Sequence, residues 1–160
     1  MGADDLRTRT PAYLSGLLLA GRKVVVAGGG RVALRRVPRL LQAGAQVVVV
    51  SPVLHPGLTG LARSGAITWH ERPVRAADLD GAWYVLAATD SATVNADVAA
   101  EAEVRHTFCV RADRAEAGSA WTPATGLVDG AVVAVLTDHD PQRAKELRDR
   151  VVRALGGEPR

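Results

Sequence analysis

Three consecutive glycines, residues 28 to 30, lie between an apolar run and a helix-like segment in "VVVAGGGRVALR". The apolar run is short and valine-rich, which is typical of a strand buried on both faces. Gly28, Gly30 and Ala33 match the pattern G-x-G-x-x-[GA] in the strand–turn–helix context that it requires. The first glycine permits the tight bend, the second lets a pyrophosphate approach the backbone, and the small third residue lets the helix pack on the sheet. We therefore predict a nucleotide at this turn, held by the free N–H groups of the helix start.

The segments after the turn continue as buried-type strands separated mostly by helices. The further strand-like runs are "AQVVVVS", "AITWHE", "AWYVLAAT" and "TFCVRA". With the first strand they give the order β-α-β-α-β-β-α-β, which predicts a parallel sheet with helices on both faces. This is a Rossmann-like α/β fold, and we assign residues 1–115 to it as the nucleotide-binding domain.

Residues 116–160 have a different pattern and are assigned to a separate segment. Two strand-like runs flank Asp129 and Gly130, a pair that favours a tight hairpin, and a helix follows with Asp140 as its cap. Four apolar residues are expected to form one stripe on this helix: Ala144, Leu147, Val151 and Leu155. The hairpin and helix suit the docking of another subunit, or they simply cover the edge of the sheet, and the pattern leaves both interpretations open.

Composition excludes several classes of protein. Aromatic residues are only 4% of the chain and the net charge is +3, so the basic, aromatic-rich face of a nucleic-acid binder is not expected. No apolar run reaches the roughly 18 residues of a membrane span, and the polar N-terminus lacks the apolar core of a signal peptide. The single cysteine, Cys109, is expected to be a small buried hydrophobe, compatible with a reducing cytoplasm. The histidines are scattered, and Asp138, His139 and Asp140 are consecutive on a loop, so we expect no protein metal site.

The ribose side of the predicted nucleotide site lacks its usual marker. An acidic residue is expected at the end of the second strand to bind the ribose hydroxyls, but that strand ends "VVVVSPV". An arginine, which would suit a 2′-phosphate, is also missing there. Ser51 can form one hydrogen bond to the ribose, and the residues alone leave NAD and NADP both open.

Arginines follow the glycine turn. Arg31, Arg35 and Arg39 are spaced i, i+4 and i+8 on one helix face, with Arg36 beside them. Guanidinium groups pair with carboxylates through two hydrogen bonds, so the face suits a substrate with several carboxylates. The alternative from spacing alone is an ordinary solvated face. Pro38 lies inside this helix and is expected to kink it.

Several motifs together resemble one known family. The segments "GRKVVVAGGGRVALRRVPRLLQAGAQVVVVSP", "AATDSATVN", "FCVRAD" and "AWTPA" occur in the order and spacing of precorrin-2 dehydrogenases, which include the N-terminal module of siroheme synthase. The resemblance runs from Tyr13 to Leu155. It implies NAD-dependent oxidation of precorrin-2, a porphyrinoid with eight carboxylates, to sirohydrochlorin, on the route to siroheme or cobalamin. It also implies a homodimer built through the segment after the sheet and, in several members, insertion of ferrous iron as a second substrate.

The resemblance also assigns roles to individual positions. Those implied for the cofactor are Gly28, Gly30, Arg31, Val32, Ser51, Pro52, Val53, Thr89, Asp90 and Asn95. Asp113 falls at the family's catalytic aspartate, although by position alone it serves equally well as a cap for the turn "ADRAEAG". Arg35 and Arg36 are expected to bind the substrate's carboxylates, and Thr137 falls where some relatives have a serine near the active site.

The chain departs from the family in two places. "LTDHD" replaces a loop rich in serine and glycine, and many relatives continue into a helical domain that encloses the tetrapyrrole. We expect either a short version or a piece of a larger protein, for instance one fused to a methyltransferase, and iron insertion is the activity that this departure weakens most. The competing interpretation is a nucleotide-sensing regulatory module without catalysis. Such a module needs neither the arginine face nor Asp113, so both favour an enzyme.

Overall fold

Five parallel strands form the sheet that carries the glycine turn. The structure is a computed structural model, and it describes residues 12–137 and 140–158. The strands of the sheet are β1 (Lys23–Ala27), β2 (Gln46–Val50), β3 (Thr68–His70), β4 (Tyr84–Ala87) and β5 (Phe108–Arg111). The helices between them are α1 (Arg31–Gln42), α2 (Pro56–Arg63) and α3 (Ala92–Val104). These elements belong to one compact unit, Leu14–Ala120.

The order of the strands places a crevice beside the glycine turn. The sheet has the order β3-β2-β1-β4-β5, and all neighbouring pairs are parallel. The chain runs outward from β1 in one direction and then returns to place β4 on the other side of β1. Ligands of open α/β sheets bind at the carboxyl ends of the strands where the order reverses in this way. The predicted Rossmann-like fold is confirmed, and the site is expected between the ends of β1 and β4.

The valine-rich strands are buried on both faces. Val24 and Val26 pack with residues of α1 and α2, while Val25 and Ala27 pack with residues of α3, and all four are fully buried. Burying a side chain as large as valine stabilises the fold by roughly 1.5–3 kcal/mol. Cys109 is also buried, as expected, and burial raises the pKa of its thiol to about 11. It is therefore a packing residue and not a nucleophile at neutral pH.

Helix α1 passes through Pro38 without ending. The proline is exposed and the helix continues to Gln42. Val37, its neighbour, is fully buried against the sheet. The burial of Val37 stabilises the helix where Pro38 removes one backbone hydrogen bond.

A second compact unit contains the described residues from Trp121 onward. Its elements are β6 (Ala124–Val128), β7 (Ala131–Val135) and α4 (Pro141–Ala154). The two strands form an antiparallel hairpin. At its turn Asp129 has φ 48° and Gly130 has φ 79°, the positive values that a type I′ turn requires. The side chain of Asp140 accepts a hydrogen bond from the Arg143 amide at 2.9 Å and caps α4, as predicted.

The four apolar residues predicted to share one stripe of α4 differ in their burial. The buried residues are Ala144, Arg148 and Val152, whereas Val151 is 41% exposed and Leu155 is 56% exposed. Arg148 is buried because its stem packs against Gly126 and its guanidinium donates to the Thr125 carbonyl. A long charged residue that buries its stem does not register as apolar in a sequence pattern.

None of the helices in the described part of the chain is long and apolar enough to cross a membrane.

Candidate active site

The glycine turn joins β1 to α1 and lies between the ends of β2 and β4. The Gly28 amide donates to the Val50 carbonyl at the end of β2, at 2.9 Å. Gly28 has φ 106°, and a Cβ there would lie 2.3 Å from the Ala88 carbonyl oxygen beyond β4. At Gly29 a Cβ would lie 2.4 Å from the Val53 carbonyl oxygen. These two positions must be glycine for the chain to fold in this way.

Gly30 is different, because nothing in the described structure lies within 4 Å of the Cβ it would carry. It precedes the first turn of α1 in an extended conformation, with φ −86°, which other residues also adopt. The fold itself does not require glycine here. A ligand that approaches the backbone from outside does require it.

The start of α1 supplies the chemistry for that ligand. The first N–H groups of a helix have no partner inside the helix, and they carry the positive end of the helix dipole. Gly30 is the cap residue without a side chain, and the first turn contains no acidic residue that would compete with an anion. The open space at Gly30 and the free N–H groups of the first turn of α1 together form a cradle that fits a dinucleotide pyrophosphate. Arg31 is exposed at its rim.

The loop after β2 borders the predicted adenosine side. Ser51 is 7% exposed, and its hydroxyl donates to the Val53 carbonyl at 2.7 Å. The Trp69 indole N–H donates to the Ser51 carbonyl. The Ser51 hydroxyl proton is thus used within the loop, and the oxygen remains able only to accept from a ribose. Pro52 and Val53 are exposed at this rim.

The loop after β4 is shaped by a buried amide. Asn95, in α3, is fully buried and accepts from both the amide and the hydroxyl of Thr89, at 2.9 and 2.8 Å. Its own amide donates to the Thr89 carbonyl at 3.0 Å. Asn95 therefore holds the loop after β4 in place, and its assignment to the cofactor stays a prediction. Thr89 is half-buried and Asp90 is exposed at the edge of the site.

Asp113, just beyond the end of β5, forms an ion pair with two contacts. Arg111 Nη2 lies 2.6 Å from Asp113 Oδ2, and Arg111 Nε lies 3.2 Å from Oδ1. Arg111 is 8% exposed, whereas the carboxylate side chain is 28% exposed and accessible from outside. Since β5 lies next to β4, Asp113 belongs to the same carboxyl edge of the sheet as the glycine turn.

The surroundings of Asp113 keep it ionised. The hydrogen bond from Arg111 lowers the pKa of the carboxyl below its ordinary value, and partial burial opposes this less strongly. The residue's own amide, the positive charge of Arg111 and the Asn95 amide lower the pKa further. Asn95 thereby connects the loop after β4 with the carboxylate after β5.

Arg111 was not among the predicted site residues. Its signal in the sequence is the spacing i, i+2 to Asp113 at a strand end, which puts both side chains on one side of an extended segment. That signal is weak, because an arginine at a strand end is more often a solvated residue.

The arginines of α1 do not all have the same environment. Arg31, Arg35 and Arg39 are exposed, in agreement with their predicted common face. Arg36 is half-buried, and its Nε is buried without a hydrogen-bond partner in the described residues. Burial, followed by the charge of Arg35, lowers the pKa of the Arg36 guanidinium. Arg35 thus presents its charge to solvent, while Arg36 has an unused donor beneath the surface.

Thr137 lies in the second unit, where its hydroxyl donates to the Asp140 carbonyl before α4. Its assignment to the substrate stays a prediction. Asp138 and His139 lie outside the described residues. Within residues 12–137 and 140–158, no group of three or more His, Cys, Asp and Glu side chains can hold a metal ion.

Comparisons with known proteins identify relatives along most of the chain. The model of a family described as "Putative NAD(P)-binding" matches residues 17–124. A protein of Bacillus subtilis (strain 168) named precorrin-2 dehydrogenase is 33% identical over 149 residues, which are 92% of this chain and 90% of that protein. A solved structure named "SirC, precorrin-2 dehydrogenase" superposes with a TM-score of 0.79 at 26% identity, covering 89% of this chain and 71% of that one.

Longer relatives match as well. The siroheme synthase of Chromobacterium violaceum is 39% identical over 136 residues, which are 84% of this chain but only 29% of that protein. The chain therefore spans nearly the whole of the Bacillus relative and less than a third of the siroheme synthase.

Proposed function

The chain belongs to the precorrin-2 dehydrogenase family, and we propose that it oxidises precorrin-2 to sirohydrochlorin with NAD as the hydride acceptor. One observation carries this proposal most directly. The cradle at Gly30, open only to an outside ligand, shares the carboxyl edge of the sheet with the ionised carboxylate of Asp113. A nucleotide-sensing module would need the cradle but not the carboxylate.

The oxidation removes two hydrogens from the macrocycle, one as a hydride and one as a proton. NAD, when bound, supplies the acceptor for the hydride. The ionised carboxylate of Asp113 accepts the proton, because it is accessible and has free lone pairs besides those that Arg111 occupies. Positioned general bases of this kind contribute about 100- to 10,000-fold to a rate.

Each side of the cofactor site has its own residues. The backbone at Gly28 and Gly30 and the first turn of α1, which includes Arg31 and Val32, would hold the pyrophosphate. Ser51, Pro52 and Val53 would border the adenosine. Thr89, Asp90 and Asn95 would close the site at the end of β4, where Asn95 also holds the loop in place.

The substrate's carboxylates are recognised by the arginines of α1. Arg35 offers an exposed guanidinium, and Arg36 offers a buried Nε that has no hydrogen-bond partner among the described residues. An unpaired buried donor costs free energy, and Arg36 can bind a carboxylate only after its side chain moves, because the Nε is buried in this structure. We assign both residues, together with Thr137, to the substrate.

We further propose a homodimer formed through the hairpin. Leu127 and Val132 are directly opposite in the register of β6 and β7, and they are 65% and 70% exposed. The other hairpin face packs on α4, where Gly126 contacts Arg148 and Val152. A two-stranded hairpin is marginal when one apolar face remains in water, so a second chain is expected to cover it. Val132→Asp should then convert a dimer into a monomer in light scattering, whereas the exposed-loop control Asp129→Asn should not.

The test of the reaction is anaerobic incubation of the protein with NAD and enzymatically prepared precorrin-2. One NADH should form for each sirohydrochlorin. NAD binding without any reduction would instead favour the sensing module, and absence of NAD binding would contradict both. Adding ferrous iron afterwards tests whether the protein also inserts iron into sirohydrochlorin. We propose a methyltransferase, fused to this chain or acting beside it, as a further partner.

A further inference from the structure

We propose that Arg111 is a positioning residue for the oxidation: it holds the Asp113 carboxylate in one orientation at the carboxyl edge of the sheet. The inference rests on the proposed function, because it concerns the carboxylate that accepts the proton. It assigns a role to a residue that lies beneath the site and does not touch the substrate.

The geometry of the pair fixes the plane of the carboxylate. Arg111 uses Nη2 and Nε on the two different oxygens of Asp113, at 2.6 and 3.2 Å. A single hydrogen bond would let the carboxylate rotate, whereas two parallel bonds from a planar guanidinium do not. Lysine, with a compact ammonium group, would supply the charge without fixing the plane.

Arg111 itself is held in place on both sides. It is the last residue of β5, and its Nη2 also donates to the Ala92 carbonyl in the first turn of α3, at 3.3 Å. With only 8% of the residue exposed, the guanidinium is available to the carboxylate and not to an outside ligand. Since Arg111 cannot reach a ligand directly, we expect its effect on turnover to pass through Asp113.

The other polar groups around the pair support the same arrangement. From α3, the Asn95 amide also stabilises the ionised form of Asp113. From the short 3-10 helix Ala115–Ala117, Glu116 stabilises the charge of Arg111, and Arg114 forms an ion pair with Glu116. With Arg111 present the carboxyl loses its proton at a lower pH than an ordinary aspartate. The acidic limb of the rate profile therefore lies at low pH, and it should move to higher pH when Arg111 is removed.

The experiment compares Arg111→Met and Arg111→Lys with wild type in kcat and KM for precorrin-2 across pH. Arg105→Met is the matched control, since Arg105 forms ion pairs with Asp80 and Glu101. We expect Arg111→Met to lower kcat by up to about 100-fold with NAD affinity unchanged, because a misplaced group costs about that much. Its acidic limb should move to higher pH. Arg111→Lys should return the acidic limb to its wild-type pH but should not restore the full kcat. Arg105→Met should change neither the pH of the acidic limb nor kcat.

A double variant tests whether the two residues act together. If Arg111 acts through Asp113, combining Arg111→Met with Asp113→Asn should be no slower than Asp113→Asn alone. Multiplied losses in the double variant, or an unshifted acidic limb in folded Arg111→Met, would overturn the proposal.

A measurement on the wild-type protein keeps the proposal testable if Arg111→Met does not fold. The carbon-13 resonance of the Asp113 carboxyl, followed by NMR against pH, reports its titration without any turnover. An ordinary aspartate titration would contradict the role of Arg111. A wild-type protein that binds NAD and never oxidises precorrin-2 would instead refute the proposed function, so the two failures are distinguishable.

Discussion

Replacing Gly30 should weaken cofactor binding strongly while leaving the fold intact, which distinguishes this glycine from Gly28. A Cβ at Gly30 meets nothing within 4 Å, and its backbone conformation suits any residue. The cost of Gly30→Val to stability is therefore limited to the weaker helix cap, about 1 kcal/mol or less. The melting temperature should fall by no more than roughly 2–4 °C.

The effect of the same substitution on NAD is much larger. The valine side chain would occupy the space through which the pyrophosphate reaches the N–H groups of α1. A hydrogen bond to a charged group is worth about 1.5–3 kcal/mol, so losing one weakens binding by roughly 10- to 150-fold. Isothermal titration calorimetry with NAD measures this directly.

Two further substitutions make the result decisive. Gly60→Val places the same side chain at an exposed glycine of α2 with open space around it, and it should not change NAD affinity. At Gly28 the Cβ would lie 2.3 Å from a backbone oxygen and φ is 106°. Gly28→Ala should therefore lose about 2–5 kcal/mol of stability, or roughly 4–20 °C in melting temperature. Folded Gly30→Val with wild-type NAD affinity would refute the proposed cradle.

Three other predictions follow from the site and its ion pairs. Asp113→Asn should bind NAD normally but reduce it about 100-fold or more slowly, and stopped-flow turnover near the wild-type rate would rule out the assigned base. Arg35→Ala should weaken tetrapyrrole binding by roughly 10- to 150-fold without changing NAD affinity. The control Arg63→Ala removes an exposed arginine of α2 and should change neither affinity. Equal tetrapyrrole affinities of the two variants in fluorescence titrations would show that Arg35 is only a solvated surface residue. The hydrogen bond from Arg72 lowers the pKa of Asp78, so this pair stabilises the fold at pH values above the ordinary carboxyl pKa of about 3.9. The stabilisation is lost as the pH falls through the lower pKa of the folded state. In Arg72→Met the melting temperature should therefore fall less steeply with acid, and identical profiles of melting temperature against pH would contradict this assignment.

Local patterns in the sequence were sufficient to predict the elements and their order. The strands are continuous valine-rich runs and the hairpin turn carries Asp129 and Gly130, so each is specified by its own residues. The glycine turn follows from the same kind of local information. An alternation of strands and helices then leaves few topologies, because crossovers between parallel strands are right-handed. The position of the site at the carboxyl ends of the strands was predictable for that reason.

Side-chain partners from different elements were not predictable in the same way. Arg148 of α4 is one example, because the helix buries this charged residue where the hairpin offers Gly126 as space for its stem. Asn95 of α3 is another example, because its side chain bonds the loop after β4, and its assignment to the cofactor stays a prediction.

The sequence by itself determined the secondary structure, the fold class and the turn for the nucleotide, since these depend on residues close together in the chain. Tertiary structure decided which glycine the fold needs and which it leaves to a ligand, because only the neighbouring strand ends show whether a Cβ has room. It also decided that Asp113 is held by Arg111 and linked to α3. The contacts of Gly28 and the bond from Arg111 to Ala92 join residues far apart in the chain, and the packing of the sheet brings them together. Arg111 and Asp113 are only two residues apart, but their pairing depends on how the chain turns after β5.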